Sequence, residues 1–395
     1  QTKSLFFLIL FAFAITLPSC KESSTDTDIV ATADDGTGIP PLFKREGELA
    51  KNIEWKNIQD KVATLRKKIS LNSNDIQSRL QMATIYIAEA RITGNANYYQ
   101  SIFIILDQVL GIDPNNFEAK VYIASVKMSQ HQFAQAKELA EQAKNINPNN
   151  AYVYGVLVDA NVELGNYKEA IVMSDKMQQL KPSLEAYSRA SYLREIYGDY
   201  AGAIQAMTMA VQAGAPGLET TEWARVQLGD LYLNTGKLNE AANIYKMSLQ
   251  YRPDYPMAQM GLAKVERAKN NYPAAITHTE QAIRTVSEAA FVSFLADLQE
   301  LNGEKDKATN TRKQIVSLTE GAEKEQPQDP MLRHNGSREL ATAYMNNKQL
   351  DKALQYAIID WKMRPENIDA NELVAWIYYL DGNYVQAKPY AENML

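Results

Sequence analysis

Residues 222–254, EWARVQLGDLYLNTGKLNEAANIYKMSLQYRPD, contain two helical patterns separated by one short turn. Small side chains stand where the two helices must cross, with Gly229 in the first pattern and Ala241 in the second. Because only small side chains let helix backbones approach closely, a bulky replacement at Ala241 should cost about 1–3 kcal/mol through overpacking. Gly236 permits the turn, and Pro253 stops the second helix because it has no backbone N–H. The segment therefore predicts a helical hairpin.

The same pattern recurs along the chain. Residues 113–116 read DPNN, residues 147–150 read NPNN, and Lys181-Pro182 follows, with 34 residues from one proline to the next. A fixed period of this size indicates an array of repeated supersecondary units. Small residues at matching positions mark the other copies: Ala124, Ala136, Gly165, Ala170, Gly198, Ala203, Ala275, Ala308, Ala341, Ala353, Ala375, Gly382 and Ala387.

This hairpin of 34 residues resembles the tetratricopeptide repeat, and the resemblance extends from about Asn72 to the end of the chain. It implies an all-α fold, an α-solenoid in which about nine hairpins stack into a right-handed superhelix. Tetratricopeptide proteins bind other proteins or peptides in a concave groove. The resemblance therefore implies a non-catalytic interaction scaffold.

The charge balance argues against a nucleic-acid partner. The chain has 41 Lys and Arg residues against 47 Asp and Glu residues, a formal net charge of −6. Nucleic-acid binding depends on basic side chains that neutralise phosphates. We therefore expect no nucleic-acid partner.

The N-terminus has the pattern of a secretory signal. Lys3 precedes an apolar run over residues 5–17, which has the length of a signal peptide and is short for a membrane span. The run ends at Cys20, the only cysteine, so no internal disulfide can form. Residues 17–20, LPSC, resemble a lipobox, which implies a signal peptide at residues 1–19 and lipid attached to Cys20. The alternative is an uncleaved N-terminal anchor, and both interpretations place the body outside the cytoplasm.

The lipobox resemblance also implies a location and a tether. Lys21 stands where an inner-membrane retention signal would prefer Asp, so we expect an outer membrane lipoprotein of the bacterial cell envelope. Two residues do not decide between the periplasmic face and the cell surface. Residues 20–46 are rich in Ser, Thr, Asp, Gly and Pro, which predicts a lipidated disordered tether.

The rest of the chain divides into a cap and two arrays. Residues 47–71 contain apolar residues at helical spacing and predict a helix that caps the first hairpin. The repeat spacing drifts at residues 320–333, where we predict a linker between a first array at 72–319 and a second at 334–395. The chain stops soon after Tyr384 begins a helix. We therefore expect an incomplete C-terminal end, either continued by more chain or covered by a partner.

Patterns for catalysis and metal binding are absent from the sequence. The three histidines, His131, His278 and His334, fall in different repeats and none has a metal-binding spacing. We therefore predict that they are surface or turn residues and that there is no metal site. No nucleophile motif or cofactor-binding loop is present either, so we expect no enzyme activity and no cofactor.

First-helix positions line the groove of tetratricopeptide proteins, and the resemblance carries this role to matching positions here. The predicted groove residues are Tyr152, Asp159, Glu163, Tyr192, Glu195, Trp223, Asp230, Asn234, Lys264 and Arg267. Aromatic side chains suit a peptide groove because they bring large contact area at low entropic cost. The alternative for Tyr192 and Trp223 is packing between adjacent hairpins. The change from acidic residues to Lys264 and Arg267 predicts a partner segment with the complementary order of charge.

Two functions fit these features. The first is a scaffold or assembly factor, anchored to the membrane through Cys20, that binds other envelope proteins or peptides. The alternative is a surface lipoprotein that captures nutrients or glycans, because starch-binding lipoproteins contain similar hairpins. Their hairpins are interrupted by a large irregular half, whereas here the hairpins follow one another directly, which favours the scaffold.

Overall fold

The computed structural model describes residues 35–45, 47–51, 53–324 and 332–394. This part of the chain is all-α, with 19 α-helices, one 3-10 turn at Gly47–Lys51 and no β-strand. The helices are α1 (Ile53–Leu71), α2 (Ile76–Thr93), α3 (Tyr98–Ile112), α4 (Phe117–Ser129), α5 (Phe133–Ile146), α6 (Ala151–Glu163), α7 (Tyr167–Leu180), α8 (Leu184–Ile196), α9 (Tyr200–Ala213), α10 (Glu219–Asn234), α11 (Leu238–Tyr251), α12 (Pro256–Ala268), α13 (Tyr272–Thr285), α14 (Ala289–Leu301), α15 (Lys305–Lys324), α16 (Ser337–Asn346), α17 (Leu350–Met363), α18 (Ile368–Leu380) and α19 (Tyr384–Glu392).

The helices pack in consecutive pairs. Each pair from α2/α3 to α18/α19 forms a hairpin, and each hairpin packs against the next, while α1 packs on α2 ahead of the first. The described chain thus contains nine hairpins in one stack. The predicted all-α solenoid of about nine hairpins is confirmed.

The turn inside a hairpin needs one residue in the left-handed region of backbone conformation. Gly236 has φ 78° between α10 and α11, and His131 has φ 57° at the matching place between α4 and α5. The N–H of Lys237 then donates to the carbonyl of Tyr232 at 2.9 Å, which satisfies a carbonyl at the end of α10. A residue with a Cβ loses about 1–2 kcal/mol in this conformation. His131 adopts this conformation in spite of its cost, so the surrounding structure holds the backbone of His131 in a locally strained state.

The small residues at the helix crossings make room for one shared tyrosine. A Cβ built on Gly229 of α10, or on Gly261 of α12, would lie 2.4 Å from the ring of Tyr245. Tyr245 is fully buried in α11, and its hydroxyl donates to Asp230 Oδ1 at 2.7 Å. Ala241 of the same helix is 0% exposed. Two consecutive hairpins are thus joined by a tyrosine held between two glycines.

The prediction of a disordered tether is wrong for residues 35–45, which pack against the first three helices. Ile39 and Leu42 are each 4% exposed in the core that α1, α2 and α3 form. Tyr86 donates its hydroxyl to the carbonyl of Pro40 at 2.7 Å. The predicted signal peptide, Cys20 and the rest of the predicted tether up to residue 34 lie outside the described residues.

Two buried arginines explain why this segment packs in spite of its composition. Arg45 donates to both carboxylate oxygens of Glu89 on α2, at 2.9 and 2.6 Å. Arg66 of α1 donates to Asp35 at 2.6 Å and to the carbonyl of Ile39 at 2.8 Å. Charge-assisted hydrogen bonds of this kind are the strong ones, and here they fix the segment at both ends.

The predicted division into two arrays at residues 320–333 is also corrected. Helix α15 continues to Lys324, and its Ile315 and Val316 share one core with Leu340 of α16. Residues 325–331 lie outside the described residues. The hairpins before and after them therefore share a hydrophobic core, so the repeat drift in the sequence does not mark a break in the packing.

Candidate functional site: the inner wall and the closing seam

The first helices of successive hairpins form one continuous wall. Helix α2 contacts α4, and the contacts continue from α4 to α6, α8, α10 and α12. In a curved stack the elements on the concave side are the ones that approach each other, so these helices line the inside of the curve. All ten predicted groove residues lie on helices of this wall.

Polar pairs connect one hairpin of the wall to the next. Arg189 donates to the two carboxylate oxygens of Asp159 at 2.8 and 2.6 Å, and Lys264 lies 3.2 Å from Asp230. Asn234 also donates to Glu195, at 3.4 Å. These predicted groove residues are therefore bonded to side chains of the neighbouring hairpin, and the bonds connect α6 to α8, α8 to α10 and α10 to α12.

Burial shapes the charge of these carboxyl groups. Burial raises the pKa of Glu195 to about 7, although the hydrogen bond from Asn234 opposes this. Burial also raises the pKa of Asp159, against the opposing effect of Arg189. The change from acidic to basic along the groove is therefore smaller than predicted, because Arg189 neutralises Asp159 and Lys264 neutralises Asp230.

The two predicted aromatic residues pack largely against the chain itself. Tyr192 is half-buried against the core that holds Tyr154 and Leu193, and burial raises its pKa well above the ordinary range. Trp223 is half-buried against the core of α9 and α10. The guanidinium of Arg267 lies 5.3 Å from the centre of the Phe294 ring. Tyr192 and Trp223 therefore fit the alternative prediction, in which they pack between adjacent hairpins.

Tyr152 is an exposed aromatic residue among the predicted groove residues. Its side chain is 43% exposed, and its ring meets the ring of Tyr122 edge-on with centroids 5.9 Å apart. The two tyrosines line a cleft of about 670 Å³ between α2, α4 and α6, which we call the tyrosine cleft. Its other walls include Thr84, Ile87, Phe117 and Lys181. The sequence did not single out Tyr122, although an aromatic residue on a first helix was the signal that identified Tyr152.

Glu163 meets a part of the chain that is distant in sequence. Its carboxylate accepts a hydrogen bond from Arg364, which also donates to Asp360 at 2.9 and 2.6 Å. The exposed fractions of the Arg364, Glu163 and Asp360 side chains are 2%, 5% and 3%. Burial raises the pKa of Glu163, and Arg364 opposes that shift. The predicted groove role of Glu163 is corrected here, because its carboxylate is enclosed by the hairpins near the C-terminus.

Backbone contacts surround this ion pair. Asn367 donates to the carbonyl of Val162 at 3.2 Å, and the N–H of Ile368 donates to the hydroxyl of Tyr167 at 2.8 Å. Gly165 fits so closely that a Cβ there would lie 2.3 Å from the backbone of Glu366. The turn of α6/α7 therefore docks on the turn of α17/α18.

A second docking point lies one hairpin earlier. The N–H of Asn335 donates to the carbonyl of Gln130 at 2.9 Å, and Gln132 donates through its amide to the carbonyl of Arg333 at 2.5 Å. We call the contacts of residues 130–133 and 162–167 with residues 332–339 and 360–369 the closing seam. It brings together residues about 200 positions apart, so the curved stack touches itself.

His131 lies in the turn of α4/α5, as predicted, but the side chains of His131 and His334 are mostly buried rather than on an open surface. His131 and His334 lie at the closing seam with ring centroids 4.5 Å apart, and Glu339 lies beside both. Burial lowers the pKa of His131 to about 4, although Glu339 opposes the shift. Burial alone would raise the pKa of Glu339, but His131 and a hydrogen bond to His334 lower it to about 2. His278 is separate, with Nδ1 2.8 Å from the side-chain oxygen of Gln259.

The first hairpin also contacts the later ones. Arg91 of α2 lies 2.5 Å from Glu219 of α10, and Glu219 in turn accepts a hydrogen bond from Tyr255 at 3.2 Å. The Gly47–Lys51 turn contacts α13. Within the described residues no helix combines the length and apolar character that a membrane crossing requires.

Two stretches of the chain, residues 104–157 and 226–290, match family models described as tetratricopeptide repeat. The chain therefore contains tetratricopeptide repeats. No curated protein sequence is significantly similar to it.

Several solved structures are similar at low sequence identity. The APC/C hetero-tetramer Cut9-Hcn1 is 16% identical over 83% of this chain and 64% of that chain, with a TM-score of 0.48, so the alignment spans less than two thirds of that chain. The human IFIT1 dimer with PPP-AAAA is 13% identical over 88% of both chains, with a TM-score of 0.49. PilF of Pseudomonas aeruginosa is 18% identical over 53% of this chain and 95% of that chain, with a TM-score of 0.42.

Proposed function

We propose that this protein is a non-catalytic scaffold of the bacterial envelope that holds a segment of a partner protein in the tyrosine cleft. The observation that carries the proposal is the contrast along the inner wall. Asp159, Glu163 and Asp230 bond to side chains of the chain itself, whereas Tyr152 is 43% exposed beside Tyr122. The cleft thus offers apolar and aromatic surface that the fold leaves open.

The lining of the tyrosine cleft indicates the chemistry of its partner. Ile87, Phe117 and the two tyrosines provide apolar contact, and its volume of about 670 Å³ is in the range of natural ligand sites. Glu118 and Lys181 lie at its polar border. An apolar or aromatic side chain of the partner, flanked by polar residues, fits this combination, because tyrosine-rich sites bind anchors of that type.

Site-specific crosslinking in intact cells tests this part of the proposal. A photoreactive residue replaces Tyr152 in one variant and Tyr197, which is 58% exposed in the turn of α8/α9, in the matched control. We expect Tyr152 to give a discrete crosslinked protein that the control does not give, and Tyr122→Ala to weaken that product. The same products at both positions, or none at Tyr152, would rule out the tyrosine cleft as the binding site.

The envelope anchor rests on the lipobox-like residues that end at Cys20. Acyl chains contribute about 0.8 kcal/mol per buried methylene, so more than one chain on Cys20 would hold the protein on a membrane. We expect Cys20→Ser to move the protein from the membrane fraction to the soluble fraction. Retention in the membrane at the uncleaved size would instead support the N-terminal anchor.

A further inference from the structure

We propose that His131, His334 and Glu339 bind a zinc ion that fastens the closing seam. The three side chains come from two places about 200 positions apart, the turn of α4/α5 and the start of α16. This goes beyond the scaffold function, because the site lies at the seam and uses none of the residues of the tyrosine cleft.

The donor atoms are spaced as zinc ligands require. His131 Nδ1 is 3.5 Å and His334 Nε2 is 3.8 Å from Glu339 Oε1, and all three atoms lie within 4.8 Å of one another. Zinc ligands at about 2.0–2.2 Å in a tetrahedron are roughly 3.4 Å apart. Two of the separations are therefore already close to this value, and no donor atom of the three is more than 4.8 Å from the others.

The surrounding structure positions these side chains. The ring of His131 stacks on Phe133 with centroids 5.5 Å apart, and the left-handed backbone of His131, φ 57°, fixes the direction of its Cβ. His131 Nδ1 also lies 3.3 Å from the carbonyl of Asn335, to which it can donate only when protonated. Metal binding at Nδ1 therefore moves that proton to Nε2 and ends the hydrogen bond. The Asn335 to Gln130 backbone bond holds the loop of His334 in place. A site arranged in advance loses little freedom when an ion binds.

The type and charge of the donors select the ion. Two imidazole nitrogens and one carboxylate oxygen suit zinc, whereas calcium and magnesium prefer sites made of oxygen alone. The side chains of His131, His334 and Glu339 are 12%, 10% and 24% exposed, so the cluster is sheltered yet reachable. Arg364 and Arg338 are nearby cations that would oppose a metal ion, and Glu163 and Asp360 neutralise Arg364. A zinc ion here is coordinated by both sides of the seam and must be released, or lose ligands, before the seam opens.

Zinc titration of the purified chain tests the proposal. The protein carries Cys20→Ser and no histidine tag, because a thiol or a tag would bind zinc independently. We expect one zinc ion per chain, a rise in Tm on its addition, and no comparable effect of calcium. In His334→Asn and Glu339→Gln the Kd for zinc should rise at least tenfold, because each removes one of three ligands. His278→Asn, which changes the histidine outside the seam, should leave the Kd unchanged.

Cobalt provides a readout that does not depend on the folding of a variant. Co²⁺ bound to the unsubstituted ligands should give the intense visible absorption of a tetrahedral site, and zinc should displace it. An octahedral cobalt spectrum would overturn the proposal. Zinc binding of equal strength in His334→Asn would also overturn it.

Discussion

The molecule is held together by two kinds of junction that differ in their chemistry. Between neighbouring hairpins, Tyr245 fills the space that Gly229 and Gly261 leave, and the contact is mostly apolar. At the closing seam, Arg364 pairs with Glu163 and Asp360, and backbone hydrogen bonds surround them. The first kind joins residues one repeat apart, and the second joins residues about 200 apart.

This difference determines how each junction should respond to change. Apolar junctions contribute stability repeat by repeat, so one weakened junction leaves the others intact. A buried ion pair offsets a large desolvation cost only while both partners stay in place. The stability of the closing seam should therefore depend on single charged residues. The stability of the junctions between neighbouring hairpins, which we call neighbour junctions, should depend on the volume of single side chains.

Arg364→Met should have the largest effect. It leaves Glu163 and Asp360 buried without their cation, which typically costs about 3–5 kcal/mol. The matched control is Arg194→Met, because Arg194 forms a half-exposed pair with Asp199 whose loss should cost about 1 kcal/mol or less. Urea unfolding measures the free energy of unfolding of both variants. Equal losses would mean that the buried ion pair of the seam contributes no more to stability than an exposed pair.

Gly165→Ala and Gly198→Ala form a matched pair that isolates the seam from the turn. Both glycines have left-handed backbone, with φ 78° and 75°, but an added Cβ meets the Glu366 backbone only at Gly165 and nothing within 4 Å at Gly198. Each variant should lose about 1–2 kcal/mol from the turn. Gly165→Ala should lose roughly 1–3 kcal/mol more through the clash.

Thermal or urea unfolding measures the loss of stability in each of these two variants. Amide hydrogen exchange then shows which helices are destabilised. Faster exchange should appear in both α6/α7 and α17/α18 of Gly165→Ala, and only around α8/α9 of Gly198→Ala. Similar losses and purely local exchange in both variants would argue that residues 165 and 366 do not meet in solution.

Gly229→Ala examines the neighbour junction. Its Cβ would lie 2.4 Å from the Tyr245 ring, so we expect a loss of about 1–3 kcal/mol from overpacking. Gly111→Ala in α3 is the control, because a Cβ there meets nothing within 4 Å and alanine favours a helix by roughly 0.5–1 kcal/mol. The two substitutions should therefore change stability in opposite directions. A stabilised Gly229→Ala would contradict the described contact with Tyr245.

Glu288, which lies between α13 and α14, should have the smallest effect near neutral pH, which is a dependence of stability on pH. Burial raises its pKa to about 8, so the folded chain keeps a proton that the unfolded chain has released above the ordinary value of 4.5. Stability should therefore fall as the pH rises from 4.5 toward 8 and level off above 8, with about 1 kcal/mol of the loss between pH 7 and pH 8. Glu288→Gln should remove this part of the dependence, and an unchanged pH profile would show that Glu288 is ionised when folded.

The sequence predicted the neighbour junctions well because their determinants recur with the repeat. Gly229 and Ala241 are small where helices cross, and Gly236 is a glycine where the turn requires it. It also placed Tyr152 on a first helix, where it lines the tyrosine cleft. These features depend on a few dozen residues at a time, which is the range over which a periodic pattern carries information.

The seam could not be predicted because it depends on the curvature summed over several hairpins. Glu163 matched a groove position, and nothing near it in sequence indicates Arg364. His131 and His334 were interpreted separately for the same reason. The packing of residues 35–45 could not be predicted from local sequence, because Arg45 and Arg66 bond to carboxylates that are 44 and 31 residues away.

The most direct test of the closed stack is a distance between spin labels on the two sides of the seam. Lys168 and Lys362 are exposed and flank it, and in a Cys20→Ser background they can be replaced by labelled cysteines. We expect one short, narrow distance distribution that lengthens and broadens in Arg364→Met. A long or broad distribution in the otherwise unchanged protein would contradict closure.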